Sequence, residues 1–167
     1  MGLTIDEIGC EHKSLSKGVY QLINPPKTHS SLTEYSVIIS PSYGLSVINA
    51  FSSTFSTDCF GSEARGAFDA MRQSLTAIYG QHAIEDRLIA TDDYNESNWQ
   101  QSIIEGKRFL FASWDKDKGS TLSDSIRNIY LGVKPIDPYS AYIELQYVFE
   151  NFDEARNELI HLEDDSL

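Results

Sequence analysis

Apolar positions in this chain change their period several times, and each change marks an element. Leu3-Thr4-Ile5-Asp6-Glu7-Ile8 predicts a helix start: Thr4 can cap, Glu7 can bond back to it, and Leu3 can pack on Ile8 as a hydrophobic staple. Gly9 keeps that helix short. Residues 19–23 read as a strand that stops at Asn24-Pro25-Pro26, because prolines cannot donate to a ladder. The stretch 35–49 predicts a hairpin. Tyr35, Val37 and Ile39 alternate with Ser36, Ile38 and Ser40, Pro41-Ser42-Tyr43-Gly44 forms the turn, and Leu45, Val47 and Asn49 alternate on the return. Ile38, Ile48 and Ala50 are then expected on the other face, so that both faces are partly covered.

Gly61-Ser62-Glu63 opens a long helix in which Ala64, Phe68, Met71, Leu75 and Ile78 recur at helical spacing, and Gly80 ends it. Residues 81–96 are polar and acidic and predict mostly loop. A third helix is expected over 97–105 with Trp99 and Ile103 on one side, followed by strands over 108–114, 126–133 and 141–149. Asn151-Phe152-Asp153-Glu154 again carries a cap with Glu at the third helical position, and Ala155, Leu159 and Leu162 supply a buried side. Runs of strands segregated from helices predict an α+β fold, a mostly antiparallel sheet with the helices packed on one face. The order helix, strands, helix, strands permits a diverged duplication of a helix-plus-hairpin unit, with half-units 1–60 and 61–167.

A chain of 167 residues fits a single domain, 1–167, and 41% hydrophobic with 23% charged residues is the composition of an ordinary globule. The charge changes the picture more. A net charge of −12 opposes direct binding to nucleic acid or to an anionic membrane, and leaves a partner protein with a basic surface as the favoured class. No apolar run approaches the roughly 20 residues of a membrane span, and the N-terminus lacks a basic stretch followed by an apolar one. Cys10 and Cys59 are read as small hydrophobes in a reduced, cytoplasmic protein.

Gly2-Leu3-Thr4-Ile5-Asp6-Glu7-Ile8 resembles the Gly-x-Thr-x-x-Glu-hydrophobic helix start of the helix-loop-hairpin modules of β-lactamase inhibitory proteins and small outer-membrane lipoproteins. The resemblance implies a concave sheet that binds another protein, and no enzyme activity.

Candidate chemistry is sparse. Asp115-Lys116-Asp117-Lys118-Gly119 places its glycine fifth, where a calcium loop needs it sixth, and two lysines flank the acids, so a charged inter-strand loop is expected there. His29, His82 and His161 share no ligand spacing, and neither a metal nor a cofactor is expected. Cys59 stands at the entry of the long helix and Cys10 lies two residues from His12, which makes a small hydrolase or transferase the alternative reading. Another is a regulatory subunit with a solvated acidic tail.

Position sharpens the charge argument. Residues 85–167 hold eighteen acids and eight bases, ten of the twelve excess negative charges. Acids continue to the end of the last helix, where the dipole disfavours each by about 0.3–1 kcal/mol, so helix stability does not explain them. Along the last strand, Tyr142, Glu144 and Gln146 share one face while Ile143, Leu145, Tyr147 and Phe149 take the apolar one. These features predict a non-enzymatic inhibitor or immunity-type protein that occludes a basic partner, such as a nuclease or nucleic-acid-binding effector. The expected contact residues are Asp92, Asp93, Tyr142, Glu144, Asp153, Glu154 and Glu158.

Overall fold

A computed structural model describes residues 2–89, 95–123 and 125–164, without the side chains of the last two. Strands β1 (Glu11–Ser16), β2 (Val19–Ile23), β3 (Glu34–Ser40), β4 (Gly44–Phe51) and the two-residue β5 (Phe55–Ser56) follow the short helix α1 (Ile5–Ile8). Helix α2 (Ser62–Tyr79) leads to β6 (Ala83–Leu88), and α3 (Trp99–Ile104) leads to β7 (Arg108–Asp115), β8 (Ile126–Asp137), β9 (Ser140–Phe149) and α4 (Phe152–Asp164). No described helix is long and apolar enough to cross a membrane.

The sheet is antiparallel throughout, in the order β1-β2-β3-β4-β9-β8-β7-β6, with β5 beside the start of β9. Two four-stranded meanders therefore meet at β4 and β9, and the fold is α+β. One face carries the main core. Ala50, Leu145, Leu131 and Ala112 stand in cross-strand register, as do Ile48, Tyr147, Ile129 and Trp114 one row away. Against them lie Phe68, Met71 and Leu75 of α2 and Trp99 and Ile103 of α3. Each such side chain contributes about 1.5–3 kcal/mol when fully buried. At the other end of the same face, Ile5 and Ile8 of α1 pack on Val37, Ile39 and Leu45. Glu7 accepts hydrogen bonds from the Thr4 backbone N–H (2.8 Å) and hydroxyl (2.9 Å), closing the predicted start.

Three expectations are corrected, and one strand, β1, was not expected at all. Residues 81–96 include β6, whose Ile84, Asp86 and Leu88 turn to the core face; Asp86 meets Arg65 (3.5 Å) and Arg108 (3.6 Å) there, so charge replaces the apolar position that would have marked a strand. Strand β1 is exposed along its whole length and so leaves no period-two signal. Ile78, expected in the α2 stripe, is 66% exposed, and Tyr79 takes the inward position instead, four residues after Leu75, packed on Tyr147.

The two faces of the β3–β4 hairpin also differ from expectation. A register shift between Ile38 and Ile39 pairs Ile39 with Leu45 but Ile38 with Val47, leaving Ser46 as the extra residue of a bulge. One extra residue flips the phase. Ile48 and Ala50 consequently join Val37 and Tyr35 on the core face, while Val47 joins Ile38 on the opposite one. That opposite patch is covered by α4, so the helices do not all share one face. Phe152 and Leu159 line it with Val19 and Ile38, and Ala155 and Val47 are almost fully buried. The Glu158 carboxylate accepts hydrogen bonds from both hydroxyls of Ser40 and Ser42 and from the Ser42 N–H (3.0 Å), while the Lys17 ammonium donates to the Leu162 carbonyl at the far end.

Gly61 sets the junction between α2 and α3. Its φ of +67° is left-handed, and any Cβ there would overlap the Trp99 indole. Gly61→Ala is therefore expected to cost about 2–4 kcal/mol, from left-handed strain plus displacement of a fully buried ring. Urea unfolding followed by Trp fluorescence checks this; a loss below about 1 kcal/mol would show that Trp99 does not depend on the missing side chain.

Candidate functional site

Beyond the patch under α4, the face opposite the main core has no described helix on it. Cross-strand register brings Phe51, Glu144, Gly132 and Phe111 into one row, Asn49, Gln146, Tyr130 and Ser113 into the next, and Tyr142 beside Lys134. This band mixes amphipathic rings with paired polar groups.

Glycine makes the centre of the band possible. A Cβ on Gly132 would stand 2.6 Å from the Tyr130 hydroxyl oxygen and 2.9 Å from its ring, so only glycine lets Tyr130 lie across the strand. In that pose Tyr130 stacks on Phe111, with centroids 5.5 Å apart and planes at 29°, and Lys134 Nζ lies 5.7 Å from its ring centre. Lys134 also pairs with Glu144 Oε2 at 3.0 Å. Burial pushes the Tyr130 phenol up. Burial works against the Lys134 ammonium, but the hydrogen bond and charge of Glu144 outweigh it and hold its pKa above the ordinary value.

Two further pairs extend the band toward β3. Phe51 and Tyr142 meet edge to face at 6.1 Å. Gln146 Nε2 donates to Asn49 Oδ1 (2.8 Å), whose amide reaches Ser36 Oγ at 3.4 Å. The rings are thus half-buried and held in place by neighbours, an arrangement that presents apolar area with little conformational entropy left to lose.

The structure brings together Tyr142 and Glu144 among the expected contact residues. Asp153 and Glu154 are exposed in the first turn of α4, and Asp153 pairs with Arg127 at 2.7 Å. Glu158 is on the same helix but is engaged by Ser40 and Ser42, whose hydroxyls and N–H hold its carboxyl below the usual range. Asp92 and Asp93 lie outside the described residues. Phe51, Phe111, Tyr130 and Lys134 were not anticipated. Their signal was the alternation of Tyr130, Gly132 and Lys134 with Leu131 and Val133, together with a glycine in mid-strand, which marks a close approach.

Both cysteines are free thiols. Cys59 is exposed in the loop before α2, and its carbonyl accepts from the Gln100 N–H at 3.1 Å. Cys10 lines a shallow depression with Ile5, Asp6, His12 and Ile23. His12 meets Tyr20 edge-on at 5.6 Å, and the two ring nitrogens of His82 face Arg72 and Thr76, each at 3.2 Å. Among the described residues no cluster of three His, Cys, Asp or Glu is placed to hold a metal ion. Comparison with protein-family models, with curated proteins and with solved structures finds no match to this chain.

The ion pair in the band has a defined pH signature. Because Lys134 is raised above 10.5 in the folded protein, its contribution is complete below that pH and disappears as pH rises through the folded value. Glu144→Gln is expected to lower stability at pH 7 by under about 1 kcal/mol, the pair being partly exposed. The deficit should shrink as Lys134 deprotonates above pH 10.5. Denaturant midpoints of both proteins across that range test this; a deficit independent of pH would mean that the lysine charge is not what Glu144 serves.

Proposed function

We propose that this chain is a non-enzymatic protein-binding protein of inhibitor or immunity type, which occludes the basic surface of a partner such as a nuclease or nucleic-acid-binding effector. The observation that carries the reading is the uncovered band of the sheet, where Tyr142, Phe51, Tyr130 and Phe111 are braced on one face beside the acidic helix α4. Large amphipathic rings fixed in place are the groups that anchor protein interfaces. Acids concentrated in residues 85–167 supply steering toward a basic partner, which raises the encounter rate more than the final affinity. Occlusion needs no covalent step and no cofactor.

Two features support the reading further. The resemblance of residues 2–8 to helix-loop-hairpin inhibitory modules implies a sheet used for binding, and here a sheet face stands open. The meeting of two meanders, each preceded by a helix, also fits the duplicated unit that such modules would give.

Capture of partners from a lysate of the source cells, followed by titration of the purified partner, tests the proposal. The captured protein is expected to be basic, to bind more weakly as salt is added, and to lose about 2 kcal/mol, roughly 30-fold, with Tyr142→Ala. Glu144→Lys should weaken it comparably by reversing a charge within the contact. Binding insensitive to salt and to both substitutions would overturn the assignment.

A further inference from the structure

The two outer strands of the sheet differ in a way that matters. Strand β1 is blunted in the usual manner: it is interrupted by a register shift between Ser14 and Ser16, and it carries Lys13 at its centre. Strand β6 keeps an unbroken ladder, and the charges it carries, Glu85, Asp86 and Arg87, are of both signs and can complement a second copy. Its six pairs with β7, from Ala83 opposite Ser113 to Leu88 opposite Arg108, run without a shift, and it contains no proline, glycine or lysine. It is an edge that can accept another strand.

The direction of its free groups follows from one hydrogen bond. The Ile89 N–H donates to the Lys107 carbonyl at 2.7 Å, which continues the β6–β7 register. Residues alternate in the side to which their N–H and C=O point, so Arg87, Glu85 and Ala83 also address β7. Ile84, Asp86 and Leu88 therefore turn their backbone groups outward, where no described strand meets them.

We propose that β6 pairs antiparallel with β6 of a second copy of this chain, about a two-fold axis at Asp86. That register uses all three outward residues. Asp86 faces its own copy and Ile84 faces Leu88, each as a hydrogen-bonded pair, and Glu85 then faces Arg87 in the closer, non-hydrogen-bonded positions. Two Glu85–Arg87 ion pairs form on one face and two Ile84–Leu88 contacts on the other. Ile84 is 47% and Ile89 56% exposed in the single chain, so apolar area is available to cover. The like charges at the axis are offset within each chain, where Asp86 and Glu96 together share the two guanidinium groups of Arg65 and Arg108. Moving the axis to Glu85 or Arg87 would set inward-pointing backbone groups opposite each other, and moving it by two residues would lose both ion pairs. A single strand pair is a small contact, so the dimer forms reversibly with concentration.

Sedimentation equilibrium of the intact chain at physiological salt tests this with four proteins. Wild type is expected to show a concentration-dependent dimer. Glu85→Arg and Arg87→Glu each set like charges opposite one another and should weaken it at least about tenfold, whereas the double exchange restores it. Both side chains are exposed, so folding is retained, which circular dichroism verifies. A wild type that stays monomeric, or single variants that dimerise as well as wild type, overturns the proposal. A double exchange no better than the singles overturns the register.

Discussion

Five residue pairs between β4 and β9, from Val47 opposite Val148 to Phe51 opposite Glu144, join the two meanders into one sheet. Both strands are last in their meander, and they lie nearly a hundred positions apart in sequence, so the chain must close a long loop before this contact forms. What compensates is burial on both sides of the same ladder. Ala50 and Leu145 face the α2 core, and Val47 with Val148 faces the α4 side. Without this seam the core rows that run from Ala50 to Leu145 and from Ile48 to Tyr147 would be cut between the two meanders.

The bulge at Ser46 is the second constraint, and it follows from the first. Strand β4 must serve the main core at Ile48 and Ala50 and also present Val47 to α4, and β3 must do the same with Val37 and Ile38. A regular hairpin would align Val47 with Val37 and Ile39 and turn Ile48 and Ala50 away from the main core, onto the face of Ile38. By inserting one residue the chain returns Ile48 and Ala50 to the main core and sets Val47 beside Ile38 under α4, while no described helix covers Tyr130, Tyr142 and their neighbours on the rest of that face.

Legibility in the sequence tracked burial. The α2 stripe, the three C-terminal strands and the capped last helix were readable because each puts a long apolar side into a covered layer. Strand β1 was not, since each of its residues is exposed, and β6 was hidden because its central inward residue is Asp86, held by arginines from α2 and β7. The bulge was invisible because Val47 and Ile48 are adjacent and apolar, so either can face the core, and the pairing with β3 and β9 decides between them. Part of the candidate band was legible in Tyr142 and Glu144, which alternate with apolar residues. Lys134 and Tyr130 were missed because their partners come from other strands, and register cannot be read from one strand alone.

The strong negative charge does not by itself forbid association at the β6 edge. Its excess is concentrated after Pro135, on β9 and α4, and β9 lies three strand positions from β6 in the sheet. At about 4.8 Å per strand that is about 14 Å, beyond the Debye length of about 8 Å at physiological salt. Helix α4 is farther still, over β3 and β4. Repulsion from the charge after Pro135 between two copies meeting at β6 is therefore largely screened, and the described charges closest to the contact are Glu85, Arg87 and the balanced group of Asp86 and Glu96 with Arg65 and Arg108. Such a pairing, with its axis perpendicular to the sheet, would leave both open faces on the same side. The edge and the face are then separate surfaces, one governed by local complementarity and the other by the collective field of the acidic half.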